Sequence, residues 1–208
     1  MELEDYIQMH PEFESALSPI KIAENAPLIA RKMAEASNCT GVGPMASVAG
    51  AIAQMSAEAA INEGTEEAIV ENGGDIFIFA KEPVEIGIYS NSTPLKDNLA
   101  LRIMPDETPI SICASSGKMG RSFSKGKCDL ALVVAQNAFI ADAAATFAAN
   151  LVKTAEDINH ALSETLKIRD VSGIMIFQDG MVGMAGRLPS LIKNEKGLKT
   201  ELITGLIS

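Results

Sequence analysis

The stretch Ala138–Asn150, AFIADAAATFAAN, constrains this chain more than any other. It is apolar and small-sided almost throughout, the pattern of a helix buried on every side. Yet it carries one carboxylate, Asp142, and a hydroxyl, Thr146, four residues on. A spacing of four puts both oxygens on one face of a helix. An ionised carboxylate in such surroundings is costly unless it is paired, hydrogen-bonded or metal-bound. Two readings stay open. Either Asp142 and Thr146 hold a hard cation such as Mg2+, which takes six oxygens, several of them from water or phosphate. Or Asp142 caps a neighbouring stretch of backbone. On the first reading, Asp142→Ala loses Mg2+-dependent ligand binding and keeps the fold, or even gains stability.

The rest of the composition narrows the function classes. A chain of 208 residues holds one large domain or two small ones. Its net charge of −10, with 4% aromatics and no Trp, argues against nucleic acid, which needs a basic surface or stacking platforms. One cationic island interrupts the acidic background, Gly117–Lys127, with Lys118, Arg121, Lys125 and Lys127. The three cysteines, Cys39, Cys113 and Cys128, have no CxxC spacing and give no zinc signature. They suit a reducing compartment. The acidic start MELEDYIQMHPEFE lacks a secretory apolar core, and no segment reads as a membrane span. The expected setting is cytoplasmic, with no membrane partner. His10 and His160 have no neighbours that suggest a triad, and HExxH is missing.

Periodicity and turn signals predict an α+β chain. Residues 4–17 read as short helices broken at Pro11, and Pro27 opens a helix to about Asn38. Thr40-Gly41-Val42-Gly43-Pro44 turns into a third helix, Pro44–Asn62, rich in Ala, Gly and Ser and so able to pack closely. Strands follow at Glu67–Glu71 and Ile76–Lys81 around Asn72-Gly73-Gly74-Asp75, a strong hairpin signal. Val84–Tyr89, Asn98–Ile103, Ile110–Ala114 and Leu130–Ala135 read as further strands. The helix Ala138–Val152 and a second at Asp157–Lys167, capped through Thr154 and Asp157, precede strands Gly173–Phe177 and Met181–Ala185. Each half offers a small-residue helix and then a ribbon. This suggests a single domain built from two similar halves, about 20–104 and 105–208, with antiparallel sheets, helices packed on them and the two small-residue helices near the centre.

Three further motifs carry candidate chemistry beside a plain structural reading. Gly43 precedes a helix, where free N–H groups favour a phosphate; glycine there is also ordinary turn chemistry. Gly73, Gly74 and Asp75 allow a ligand close to the backbone and offer an acceptor, or they simply make a turn. Ser115, Ser116 and Gly117, with Lys118 and Arg121 downstream, suit phosphate contacts from a loop expected to border the ligand cleft, or they are a plain solvated loop.

Taken in order, GPMASVAG at 43–50, ENGGDI at 71–76, SSG at 115–117 and ADAAAT at 141–146 resemble the ApbE-like superfamily, whose best known members are FAD:protein FMN transferases. The nearest likeness is to its uncharacterised cytoplasmic branch, over roughly Ala26–Ala185. The resemblance implies a duplicated T-fold, a flavin nucleotide (FAD or FMN) between the halves and Mg2+ near a pyrophosphate. It implies metal ligation by Asp142, Thr146 and the backbone carbonyl of Ala46. It also implies nucleotide contacts at Gly73, Gly74, Asp75, Ser115, Ser116 and Gly117. The chain departs from the family in having Ser47 at a lysine position and in lacking a His-containing segment before the last helix. The reading is therefore a protein that binds a flavin nucleotide or another phosphorylated ligand with Mg2+, as a transferase or hydrolase acting on a pyrophosphate. The alternative is a non-enzymatic ligand-binding or homo-oligomeric scaffold that has kept the fold.

Overall fold

The structure, a computed structural model, describes residues 2–88, 99–117 and 128–194. Short helices α1 (Glu2–Met9) and α2 (Glu12–Ser15) part at Pro11 and lead to α3 (Leu28–Thr40), which ends at Gly41 in the left-handed conformation. A 3-10 turn at Pro44–Ser47 then feeds α4 (Val48–Asn62). Strands β1 (Ala68–Asn72), β2 (Asp75–Phe79), β3 (Val84–Ile88), β4 (Leu99–Ile103), β5 (Ile110–Ser115) and β6 (Leu130–Ala135) follow. Helix α5 (Ala138–Leu151) and helix α6 (Ile158–Thr165) come next, then β7 (Val171–Gln178), β8 (Met181–Gly186) and β9 (Ser190–Lys193).

All strand pairs are antiparallel. Six strands make one sheet in the order β1-β2-β5-β6-β7-β8, and β3-β4-β9 make a second. The alternation within β6, LALVVA, shows how the layers stack. Ala131, Val133 and Ala135 join the core beneath α3, α4, α5 and α6. Leu130, Leu132 and Val134 face the opposite way, into a second core with Leu101 and Ile103 of the small sheet. A strand covered on both faces reads as a continuous apolar run, as β6 does. The molecule therefore has three layers: helices, the large sheet and the small sheet. The α+β expectation holds, and α4 and α5 do pack at the centre of the helical layer.

The expected strand boundaries fall within two residues of those observed. Two short elements went unread, β9 and a 3-10 turn at Pro105–Glu107. The loop assigned to Gly117–Lys127 lies, past Gly117, outside the described residues, and Lys118 and Arg121 lie there with it.

Candidate functional site

Helices α4 and α5 run antiparallel and cap each other. The N–H of Gly50 donates to Asp142 Oδ2 at 2.9 Å, and that of Ala49 also bonds this carboxylate. These are two of the N–H groups that the first turn of α4 leaves without a helical partner. In return, Gln54 of α4 accepts the N–H of Ala138, the first residue of α5, at 2.7 Å. Asn137 takes the next two, from Phe139 and Ile140. Gly50 makes the close approach possible: a Cβ there would sit 2.4 Å from the Ala138 carbonyl oxygen and 2.9 Å from Asp142 Cβ. Asp142 is thus a cap, the second of the two readings its sequence left open. A carboxylate has about four acceptor positions, so two N–H donors leave it able to accept more.

The register extends the site. Ala138 pairs with Gln54 and Asp142 with Gly50, so four residues forward on α5 match four back on α4. One turn beyond Asp142, Thr146 lies on the helix against which the 3-10 turn Pro44–Ser47, holding Ala46, also packs. Thr146 is buried, and its hydroxyl has no hydrogen-bond partner among the described residues. An unmet buried hydroxyl costs free energy that a ligand would recover.

The strands beneath complete the floor. The β1–β2 turn has positive φ at Gly73 (67°) and Gly74 (102°), a conformation that accounts for both glycines on backbone grounds alone. Among the described residues nothing lies within 4 Å of a Cβ built at either. Glu71 accepts the N–H of Gly74 at 2.7 Å, and Asn72 Nδ2 donates to the Ala49 carbonyl, tying the turn to the start of α4. Asp75 faces the helices, and its Oδ1 accepts the N–H of Ala114 at 3.2 Å, where the β2–β5 ladder ends. Every second residue of β5 on that face is small and polar: Ser111, Cys113 and Ser115. Ser115 is buried, and its hydroxyl has no partner among the described residues. Ser116 Oγ and the Gly117 N–H donate to the Cys128 carbonyl, which closes the base of the loop.

The electrostatics bind these pieces into one cluster. Burial pushes the Asp75 carboxyl up to about 7, opposed by hydrogen bonds from Cys113 and Ala114 and assisted by Glu71. Burial, and then repulsion from Asp75, raises Asp142 well above the usual carboxylate range against the N–H donors of Gly50 and Ala49. The Cys113 thiol is pushed up by burial and by both carboxylates. No lysine or arginine among the described residues stands against either aspartate. The site is an anionic pair that favours either a proton or a cation.

Sequence reasoning brought Asp75, Ser115, Asp142 and Thr146 forward; all four are buried, Asp75 on β2 and Asp142 on α5 interact electrostatically, Ser115 lies on the helix-facing side of β5, and Thr146 one turn beyond Asp142 on α5. Gly43 lies elsewhere in kind: the Ala16 carbonyl oxygen would be 1.8 Å from its Cβ, so the N-terminal segment covers it. Cys113, Gln54 and Asn72 were missed. The alternation of ISICAS was the available signal for Cys113, because a strand with small polar residues on one face has a polar neighbour there. Among the described residues no group of three or more His, Cys, Asp or Glu could hold a metal ion. Any cation here must take carbonyl, hydroxyl, water or phosphate oxygens beside a carboxylate, which is the manner of Mg2+.

The fold is that of the ApbE-like proteins. The ApbE protein of Thermotoga maritima has a TM-score of 0.54 at 14% identity, covering 70% of this chain and 51% of that one. The flavin transferase ApbE of Vibrio cholerae has a TM-score of 0.51 at 14% identity, covering 89% and 73%. At such identity the likeness is one of fold, and this chain spans about half the length of the Thermotoga protein. A family model described as AbpE bacteria matches residues 1–174. UPF0280 proteins are similar over almost the whole chain. The one from Methanococcus aeolicus is 37% identical over 96% of this chain and 83% of its own length. The one from Archaeoglobus fulgidus is 41% identical over 98% and 84%. The chain belongs to this AbpE bacteria family, with the archaeal UPF0280 proteins among its relatives.

Proposed function

We propose that this chain binds a flavin nucleotide, FAD or FMN, or a similar phosphorylated ligand, together with Mg2+, in the cleft between α4–α5 and the β2–β5 strands. The reading extends to transferase or hydrolase action on a pyrophosphate in a cytoplasmic setting. The observation that carries it is the convergence of two buried carboxylates, Asp75 and Asp142, without a counter-cation among the described residues, beside the unpartnered hydroxyls of Thr146 and Ser115. Asp142, Thr146 and the Ala46 carbonyl are the groups that would hold the metal. When bound, it would offset negative charge developing on a pyrophosphate. The glycines at 73 and 74, with no described residue within 4 Å of a Cβ built there, suit a ligand ring or ribose, and Asp75 would accept from its N–H or O–H groups. Ser115, Ser116 and Gly117 lie where phosphate oxygens would enter, with Lys118 and Arg121 following in sequence. The fold shared with the Vibrio flavin transferase supports a flavin as the first ligand to try. Three unbridged cysteines support the cytoplasmic setting. No helix among the described residues is long and apolar enough to cross a membrane. The two-halves organisation belongs to this reading too, supported by a strand order in which a hairpin lies at each end of the large sheet.

The experiment is thermal shift with FAD, FMN and ADP, each with and without Mg2+, on the parent chain and on Thr146→Ala. A ligand that binds the folded state raises Tm. The reading requires a shift that depends on Mg2+ and is lost in Thr146→Ala. Equal shifts with and without Mg2+, or none with any of the three, would refute it.

A second reading has its own observation. Asp142 already has a structural task as the cap of α4. His10 stacks on Tyr6 and His160 lies exposed on α6, so neither supplies a base to the cleft. A scaffold that retains the fold without turnover fits these facts. Ligand binding without product over prolonged incubation with FAD and Mg2+ would favour it.

A further inference from the structure

The large sheet ends on two unlike edges. At one end β1 is flanked by Glu66 and Glu67 and carries Glu71. At the other end β8, MVGMAG, has no charge, no proline and an unbroken register with β7. Charges, prolines and bulges are how sheet edges refuse partners, and β8 has none of them. Its Met181, Val182 and Met184 are 58%, 38% and 52% exposed. No strand among the described residues pairs with its outer side.

The backbone decides which groups are available. β7 and β8 are joined by the two-residue turn Asp179-Gly180, with Gln178 opposite Met181. The pair that closes such a turn is hydrogen-bonded, and the pattern alternates from there. Met181, Gly183 and Ala185 therefore turn their N–H and C=O groups towards β7. Val182, Met184 and Gly186 turn theirs outward.

We propose that a second copy of this chain docks on β8 in antiparallel fashion, about a two-fold axis at Gly183, and joins the two large sheets into one. Only registers that oppose outward-facing residues form hydrogen bonds. The register centred on Gly183 sets Val182 opposite Met184 of the second copy, and Met184 opposite its Val182. These four exposed apolar side chains share the face away from α6. The same register sets Asp179 opposite Arg187 of the second copy, twice over. Both residues are exposed, and neither side chain has an ion pair among the described residues. An isologous contact of this kind must be self-complementary, and here both the apolar and the charged positions are. Helix α6 lies over β7 and β8, with Ile158 and Leu162 against Gly183. Two strand spacings then separate the two α6 helices by roughly 10 Å, an ordinary helix-packing distance.

The surface is independent of the α4–α5 cleft, so its test stands apart from any ligand. Sedimentation velocity on the whole chain over a micromolar range should show a dimer. Arg187→Glu opposes two like charges across the axis, and Met184→Lys places a cation in the apolar strip. Each should weaken dimerisation at least tenfold, with circular-dichroism melts showing the monomer folded. In a Cys39→Ser background, Val182→Cys with Met184→Cys should give a covalent dimer on mild oxidation, its 182–184 link read by mass spectrometry. The Cα separation of a hydrogen-bonded antiparallel pair, about 5.5 Å, lies within disulfide range. A chain that stays monomeric throughout, a dimer indifferent to both charge substitutions, or the absence of the inter-chain link would each overturn the proposal.

Discussion

Asp75 ties the stability of the protein to pH. Its carboxyl is held near 7 in the folded state, against 3.8 for the free group, chiefly by burial. The folded state therefore binds the proton more tightly than the unfolded chain. Stability from this group is fully present below about pH 4 and is lost as pH rises through about 7. Urea unfolding should show the protein weakening between pH 5 and pH 8. Asp75→Asn should remove its own share of that slope, leaving that of Asp142, and be the more stable protein at pH 8, since the amide oxygen can still accept from Ala114. An unchanged slope in Asp75→Asn would assign the pH dependence to another group. Asp142 behaves differently from what its apolar surroundings suggested. Because it caps α4, Asp142→Ala should cost about 1–3 kcal/mol, the penalty of leaving buried N–H groups unmet. Asp142→Asn keeps an acceptor for Gly50 and is the sounder variant for asking about Mg2+. Equal denaturation midpoints for Asp142→Ala and the parent would remove the cap from the account.

The pairing of α4 with α5 rests on contacts that single substitutions can probe. Gly50→Ala puts a methyl group against the Ala138 carbonyl and the Asp142 side chain, and α5 cannot move without disturbing β5 and β6. The expected cost is about 1–3 kcal/mol from overpacking, read as a fall in the urea midpoint. A neutral Gly50→Ala would mean that the helices lie farther apart. Much of this arrangement was legible beforehand. Small residues in both helices announced close packing, Pro44 and Gly41 marked the start of one helix and the end of another, and Thr154 with Asp157 forms the capping box its spacing implied. The convergence of Asp75 with Asp142 was not derivable from local pattern, because it depends on a strand and a helix 67 positions apart in sequence. Only the likeness to a family placed them in one site. The polar face of β5 went unread because Ser111, Cys113 and Ser115 are too small to break the apolar look of a strand. The short β9, SLIK, lacks the length on which alternation can be recognised.

For the molecule as a whole, the proposed ligand and the proton compete for the same oxygens. A cation that takes up Asp142, with Asp75 close by, must displace whatever proton the pair holds, so its binding strengthens as pH rises. The rise in Tm given by FAD with Mg2+ should therefore be larger at pH 8 than at pH 6. At a ligand concentration about 100 times Kd, the stabilisation is about 2.7 kcal/mol. A shift that is independent of pH would separate the ligand from the carboxylate pair even if binding itself were confirmed.

The small sheet has a consequence for the order in which the chain folds. β9 pairs with β4, so Leu191 lies opposite Leu101 and Ser190 opposite Arg102, some ninety residues apart. On a ribosome, β3 and β4 emerge well before the strand that completes their sheet, which follows some ninety residues later. Until then one side of β4 offers a row of free N–H and C=O groups to whatever is near, and contacts of such long range form slowly. The interval between synthesis of Ile103 and arrival of Ser190 is thus one in which the nascent chain is open to wrong strand pairing and in which a chaperone has something to protect.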